Sequence, residues 1–567
     1  MTTTKRPVPP IGESAMRSLH AFDLTIDLTR RAEYYQSGWW RSETIVNDFE
    51  RACRRFPDKI AIIDYREDAI EPHKITFKEL RRVVDRTADA LLELSVQPGD
   101  VVSVQLPNWW EFTAIALATS QVGAIINPIM PVYRQHEVEF IIKLVQPKVV
   151  FAPYLFRDFE YNLMYRYIAS AIHSPPSLVF VGDRSAPSDR SFEKYVLDRP
   201  WEQSNRRSWS NRMPEADQVS DILFTSGTTG EPKAVGHTHN TQFARARALY
   251  ESLELTSSDS VFMPSPLAHS TGFVYGHLLP SMLGMTAVYL DVWQPGRALD
   301  IIAAQEPSWS FGSATFVLDL ISAQRERGAT GTSLRYFVSG GAAIPPVAVA
   351  DCLDRLGARL VAVWGMTENG AATCTPRDAG SLAAAEDDGR PPPWVELKIV
   401  SPESQKSLSS GVAGRLLVRG ASQTLGYARR PALTAACKDA DGWFQTGDLG
   451  YLDDSGHLHI TGREKDMIIR GGENIPVTEL EGMLYAHPRI SEIAIVGYPD
   501  ERLGERACAV VVPTQGAQVM LSDIVSYLES LGVAKVYWPE RLKLVPDLPR
   551  TMSGKIQKDK IRAELEM

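Results

Sequence analysis

One ten-residue stretch constrains this chain more than any other: Phe224-Thr-Ser-Gly-Thr-Thr-Gly-Glu-Pro-Lys233, entered from the apolar pair Ile222-Leu223. Its hydroxyl side chains, two glycines and one lysine can offer backbone amides, O–H donors and a positive charge to phosphate oxygens, which is what a triphosphate demands. Ser, Thr and Gly also cluster in ordinary solvated turns, but a turn does not need this order. The spacing departs from G-x-x-x-x-G-K-[ST], because Glu231-Pro232 separates Gly230 from Lys233. An ordinary P-loop is therefore disfavoured.

The stretch Phe224–Val235 resembles the phosphate-binding signature of the adenylate-forming superfamily, which includes acyl-CoA ligases, firefly-type luciferases and adenylation domains of peptide synthetases. Ala234 stands where that family usually has glycine. The resemblance implies that Thr225, Ser226, Gly227, Thr228, Thr229, Gly230 and Lys233 hold the phosphates of ATP.

At 567 residues the chain exceeds what one hydrophobic core normally serves, so more than one domain is expected. A formal net charge of −9 argues against general affinity for nucleic acid. The five cysteines form no C-x-x-C pair, so neither a zinc knuckle nor a disulfide framework is indicated and a reducing cytoplasm is the default. The polar N-terminus lacks the apolar core of a secretory signal, and no apolar run approaches the ~20 residues that span a bilayer.

Residues 1–40 carry no legible pattern beyond Trp39-Trp40, and Ser42 before the amphipathic run to Arg51 reads as a helix cap. Ile60–Ile63, a helix over about Phe77–Leu94 and Val101–Val104 then alternate as in an α/β layer. Leu106–Phe112 and Gly123–Pro128 resemble an early structural motif of the family; Trp109 and Trp110 are assigned to packing. Asn205–Arg212, polar and basic, reads as a surface connection. From Val395 the pattern turns to short glycine-punctuated strands, Leu397–Val400, Gly414–Gly420 and Gly456–Gly462. Beyond Arg463 a βα pattern marks a smaller domain. The expected fold is α/β: a large multi-layer N-terminal domain, with two αβ subdomains and a small β subdomain, followed by a smaller, mobile α+β C-terminal domain. The expected division is 1–44 as an N-terminal extension, 45–464 as the AMP-binding domain with its β subdomain at about 395–462, and 465–567 as the C-terminal domain.

Further segments extend the resemblance. Trp364-Gly-Met-Thr-Glu368 is similar to the family's aromatic-Gly-x-Thr-Glu motif. It implies that Trp364, where Tyr is more frequent, Gly365 and Met366 meet the adenine side, that Thr367 contacts the α-phosphate, and that Glu368 holds Mg²⁺, a hard cation that prefers oxygen ligands. Gly340, Gly341 and Ala342 lie in the segment that runs along the adenine, where small residues admit a flat base. Asp448 in Thr446-Gly-Asp448 would accept from the ribose hydroxyls, and Arg463 would add a contact to ribose or phosphate. Lys465 occupies the family's hinge position, and Gly471-Gly472 the loop past which the pantetheine arm of CoA enters. Lys555, in Ser-Gly-Lys, matches the family's C-terminal catalytic lysine. His269 falls at a gate between acyl and CoA sites, with Phe273, Phe316 and Asn369 as pocket candidates. For the two phenylalanines a core role is an equal alternative. Arg415, where an acidic residue is usual, and Trp394, where glycine is common, are local departures.

No aspartate opens Pro264–Gly276 to hold a substrate ammonium, which favours an acid without an α-amino group. The resemblance implies an AMP-forming acid–CoA ligase that uses ATP, Mg²⁺ and CoA, closest in wording to medium-chain and cyclohexanecarboxylate-type ligases. A carrier-protein-loading enzyme, a luciferase-like monooxygenase and a catalytically dead nucleotide sensor are the alternatives, and a homodimer stays open.

Overall fold

The computed structural model describes residues 6–182, 190–201, 212–225, 232–470, 473–551 and 554–566. They form two units, each discontinuous in sequence. The first lies within Met1–Phe311, Met366–Ala371 and Gly420–Ala436, and the second within Gly312–Gly365, Ala372–Arg419 and Cys437–Met567.

The first unit is built on two sheets. In the seven-stranded one the order is Gly426–Tyr427, Lys233–Thr238, Val219–Thr225, Ile125–Pro128, Val101–Val104, Val149–Pro153 and Ser177–Val181. Its pairs are parallel from Val219–Thr225 onward and antiparallel at the other edge. Parallel strands covered on both faces read as continuous apolar runs, as Val101–Val104 and Val149–Pro153 do. In the other sheet Trp309–Gly312, Ser260–Met263, Thr286–Leu290 and Ile60–Tyr65 run parallel, and His73–Thr76 closes the edge antiparallel. The helix Trp110–Gln121 buries all of its residues and packs on strands of both sheets. Its first residue and the preceding Trp109 are each 6% exposed, in line with the packing role expected for both.

The helix near residue 42 is capped by Thr44, not Ser42. Thr44 and Asn47 form the reciprocal box of the helix Ile45–Arg55, because the box needs its acceptor three residues on, inside the first turn. Thr76 and Glu79 do the same for Phe77–Glu93. Within the first forty residues, without pattern in sequence, lie the helices Glu13–Ala21 and Leu28–Gln36. Buried Arg31 pairs with buried Asp217 over 2.7 Å, and the Tyr35 hydroxyl donates to the same carboxylate. The basic segment 205–211 lies outside the described residues.

In the second unit Tyr336–Gly340 and Arg359–Val363 pair in parallel. Val395–Val400, Gly414–Gly420, Phe444–Leu452 and Leu458–Arg463 follow one another in a four-stranded sheet. The C-terminal sheet has the order Glu473–Ile475, Ile468–Arg470, Gly504–Pro513, Ile490–Asp500, with Arg541–Leu544 parallel to Gly504–Pro513. The two long strands pair directly and antiparallel. Helices Val477–Tyr485 and Leu521–Ser530 bury Leu480, Leu484, Ile524 and Leu528 in one core, while Ile561 and Leu565 of Lys558–Glu566 join a smaller cluster with Val496 and Val510. Among the described residues no helix is long and apolar enough to cross a membrane.

Candidate active site

In the first unit the antiparallel strands Val219–Thr225 and Lys233–Thr238 set Lys233 opposite Thr225. Ser226, Gly227, Thr228, Thr229 and Gly230 lie outside the described residues. Ala234 pairs with Phe224 and is 1% exposed, so the departure from glycine is absorbed by an ordinary strand position. The Lys233 ammonium stands 5.3 Å from the centroid of the Tyr427 ring. Tyr427 pairs with Val235, and its hydroxyl donates to Oε1 of Glu368 over 2.8 Å. One tyrosine therefore touches both the lysine and the glutamate expected to meet the triphosphate and its metal.

The Thr367–Glu368 turn is held from several sides. Its Glu368 carbonyl accepts from the Thr424 amide at 2.6 Å, and its Thr367 carbonyl lies 2.8 Å from Nε2 of His237. A carbonyl only accepts, so Nε2 carries the proton. Burial and the nearby Arg245 hold the His237 pKa well below the usual histidine value, and the ring is neutral at pH 7. Behind Glu368 lies Arg245, fully buried and bonded to Gln242 Oε1 and Ser270 Oγ. Burial lowers its pKa, opposed by Tyr275, Asp221 and Glu368. Gly370 makes room for this arginine: with φ +71°, a Cβ there would stand 2.7 Å from Arg245 Cγ. Asn369 is 1% exposed, and neither side-chain amide atom has a hydrogen-bond partner among the described residues. Buried amides are normally satisfied, which marks Asn369 as a candidate ligand-facing group. Met366 accepts from the Asn369 amide within the same turn.

In the second unit the strands Tyr336–Gly340 and Arg359–Val363 end side by side, delivering Gly340 next to Val363 and Trp364 just beyond it. A Cβ on Gly340 would collide with the Val363 carbonyl, and Gly341 takes a left-handed φ of +84°. Ala342 is exposed and Gly365 half-buried. Trp364 donates its indole N–H to Oδ2 of Asp448 over 2.9 Å, and Arg463 Nε donates to Oδ1 over 3.0 Å. Asp448 and Arg463 are register partners in their antiparallel strands, which explains their meeting across fifteen residues.

Lys555 comes to this same corner. A Cβ on Gly341 would lie 2.8 Å from Lys555 Cε and 3.3 Å from its Nζ. The turn is anchored by Thr315, whose hydroxyl donates to the Gly554 carbonyl at 3.0 Å, and by Arg550, which donates to that carbonyl at 2.8 Å and pairs with Glu492 at 2.7 Å. Thr315, Arg550, Tyr427, His237 and Arg245 escaped the sequence reading. A Gly-Tyr pair followed by Pro431 was the one visible signal for Tyr427.

The structure brings the remaining candidates together less fully. His269 Nδ1 accepts from the Thr271 amide at 3.3 Å. Phe273 is 2% exposed and rests on Phe112 and His277. Phe316 belongs to the second unit and fills the space beside Gly312. Lys465 sits in the turn Glu464–Asp466, 3.8 Å from Asp559, and Asp466 pairs with Arg562 at 3.0 Å. Arg415 pairs with Glu464, and Trp394 is 3% exposed. Gly471 and Gly472 lie outside the described residues.

For Mg²⁺ the donor chemistry fits: Glu368 offers a buried carboxylate with Oε1 oriented by a hydroxyl. Among the described residues no cluster of three or more His, Cys, Asp or Glu could hold a metal alone. Such a cation completes its shell with phosphate oxygens and water.

Residues 49–428 match the family model described as AMP-binding enzyme, and 479–555 match the AMP-binding enzyme C-terminal domain. The chain is similar to a medium-chain fatty-acid–CoA ligase of Escherichia coli (strain K12), 35% identical over 545 residues that cover 96% of this chain and 94% of that protein. It is also similar to a salicylyl-CoA synthase/salicylate adenylyltransferase of a Streptomyces species, 30% identical over 534 residues, covering 93% and 95%. Among solved structures, the ATP-bound enzyme MatB from Rhodopseudomonas palustris superimposes with a TM-score of 0.79 at 27% identity, covering 92% of this chain and 99% of that one. An anthranilate CoA ligase in complex with anthranoyl-AMP shares the fold, with a TM-score of 0.83 at 22% identity over 93% and 98% of the two chains.

Proposed function

This chain belongs to the AMP-binding enzyme family, and from that membership we propose that it joins an apolar carboxylic acid, of medium length or alicyclic shape, to CoA. AMP-forming acid–thiol ligation is its reaction; the class of acid is our reading. The similarity to a medium-chain ligase over nearly the whole chain supports that class.

The observation that carries the reading is the meeting of Lys555 with Gly341, beside strands that also deliver Trp364 toward Asp448. A lysine over the nucleoside segment can neutralise the charge that develops as the acid's carboxylate oxygen attacks the α-phosphorus and the bond to pyrophosphate breaks. A flexible ammonium suits that task, because it follows the oxygens as they move. Lys233, with Thr225 and the hydroxyls of Ser226, Thr228 and Thr229, holds the departing pyrophosphate. Asp448 accepts from the ribose hydroxyls, and Arg463 adds a contact beside it. Glu368 and Thr367 face the α-phosphate side, where Mg²⁺ bound at Glu368 would neutralise phosphate charge. Asn369 offers its buried amide toward the acid. In the second half-reaction the CoA thiol attacks the acyl carbon, the bond from acyl carbon to phosphate oxygen breaks, and AMP leaves. Lys465 acts as the hinge between a domain ending at 464 and one beginning at 465, His269 gates the acyl side, and Gly471-Gly472 line the CoA path. The protein works in the cytoplasm.

The test is a panel of linear, alicyclic and aromatic acids assayed for CoA-dependent AMP release. Linear acids of medium length or alicyclic acids should turn over fastest. Highest kcat/KM with hydroxybenzoic acids would overturn the substrate class, and acid-dependent AMP release that ignores CoA but requires a carrier protein would overturn the acceptor.

A further inference from the structure

Asp448 is 8% exposed, and both of its carboxylate oxygens are engaged from fixed directions: Oδ2 by the indole N–H of Trp364 at 2.9 Å, Oδ1 by Nε of Arg463 at 3.0 Å. Each oxygen carries two lone pairs, so one donor on each leaves one acceptor direction on each. A vicinal diol needs just such a pair of acceptors at a set spacing. The terminal torsion of an aspartate is otherwise broad, and the two donors hold the plane of the carboxylate in one orientation. They are unequal holders. The Arg463 side chain is 45% exposed and shared with water, whereas Trp364 is 7% exposed at the end of the strand Arg359–Val363. That strand is paired along its length with Tyr336–Gly340, so the indole is mounted on rigid backbone.

We propose that Trp364 is the positioning residue for nucleoside recognition: its indole N–H orients the Asp448 carboxylate so that the remaining acceptor directions meet the two ribose hydroxyls. The role belongs to the N–H and not to the flat ring alone. Phenylalanine or tyrosine at 364 keeps a ring against the base but has no donor at the place from which Nε1 reaches Asp448. Arg463, half in solvent, is then left to hold the carboxylate by itself. The proposal rests on the reading of Asp448 as the ribose ligand, and the experiment separates the two.

Acid-dependent pyrophosphate release is measured with ATP and with 2′-deoxy-ATP for wild type, Trp364→Phe, Trp364→Tyr and Asp448→Ala, with thermal unfolding as the check on folding. Wild type should prefer ATP by roughly ten-fold or more in kcat/KM, the scale of a hydrogen bond to a charged group. Asp448→Ala should bring that ratio close to one; a ratio unchanged from wild type would overturn the ribose reading itself. Both Trp364 variants should reduce the ratio at least three-fold, through a KM raised more for ATP than for 2′-deoxy-ATP, which keeps only the 3′-hydroxyl. A variant that raises KM equally for both nucleotides leaves the ratio intact and overturns the proposal, since it would show that Trp364 serves the base or the packing only. Loss of folding in both variants would likewise assign the residue to packing and overturn it.

Discussion

Lys555 lies over Gly341 so closely that a Cβ on residue 341 would stand 2.8 Å from its Cε. The two residues are far apart in sequence; a φ of +84° favours glycine at 341, and any Cβ there would push the tip of the lysine aside. Gly341→Ala should lower the rate of acyl-adenylate formation at least ten-fold while costing about 1 kcal/mol in stability, the scale of an alanine forced into left-handed backbone. Acid-dependent pyrophosphate release and urea unfolding of the same variant measure the two effects.

Removing the ammonium itself separates the half-reactions. Lys555→Ala should abolish acid-dependent pyrophosphate release and leave most of the conversion of supplied acyl-AMP to acyl-CoA, because only the first step has its reacting centre at the α-phosphorus, whereas the thiol attacks the acyl carbon. Equal loss of both activities would contradict a role confined to adenylation.

Tyr427 orients the Glu368 carboxylate through a 2.8 Å hydrogen bond and lies under the Lys233 ammonium. Tyr427→Phe keeps the ring and deletes the donor. A hydrogen bond to a charged group contributes about 1.5–3 kcal/mol, so affinity for a fluorescent ATP analogue in the presence of Mg²⁺ should fall roughly ten-fold. Binding measured without Mg²⁺ should change much less.

Asp221 is 1% exposed, and burial pushes its carboxyl up to about 6, against hydrogen bonds from Ser220 and Gln242 and the charge of Arg245. A carboxyl that titrates higher in the folded chain than in the unfolded one binds more protons when folded. Its contribution to stability therefore falls as pH rises from the unfolded value near 4 to about 6, and is level above that. Asp221→Asn removes this titration. Relative to wild type, the variant should gain roughly 2 kcal/mol between pH 4 and pH 6.5, read from urea unfolding at stepped pH. A difference that stays constant across that range would refute the assignment.

What the amino-acid sequence determined by itself is the chemistry brought by contiguous segments. The hydroxyl-and-glycine segment ending at Lys233, the Trp364–Glu368 segment, Asp448 and Lys555 could be proposed from sequence because they resemble family motifs whose residues stand at short, local spacings. The strand–helix alternation and the β-rich stretch from Val395 were legible for a similar reason, since periodicity is a local property. The cap at Thr44, the helices of the first forty residues and the Arg31–Asp217 pair were not, for their partners lie elsewhere in the chain or their pattern is too short to register. Only the tertiary structure decided that Tyr427 serves Glu368 across 59 residues, that Thr315 anchors the Lys555 turn across 239, and that the indole of Trp364 reaches Asp448 across 84. Those pairings are set by strand register and by which buried polar group would otherwise be left unsatisfied. A side chain's type can be read from its neighbours in sequence; its partner depends on where the whole sheet puts it.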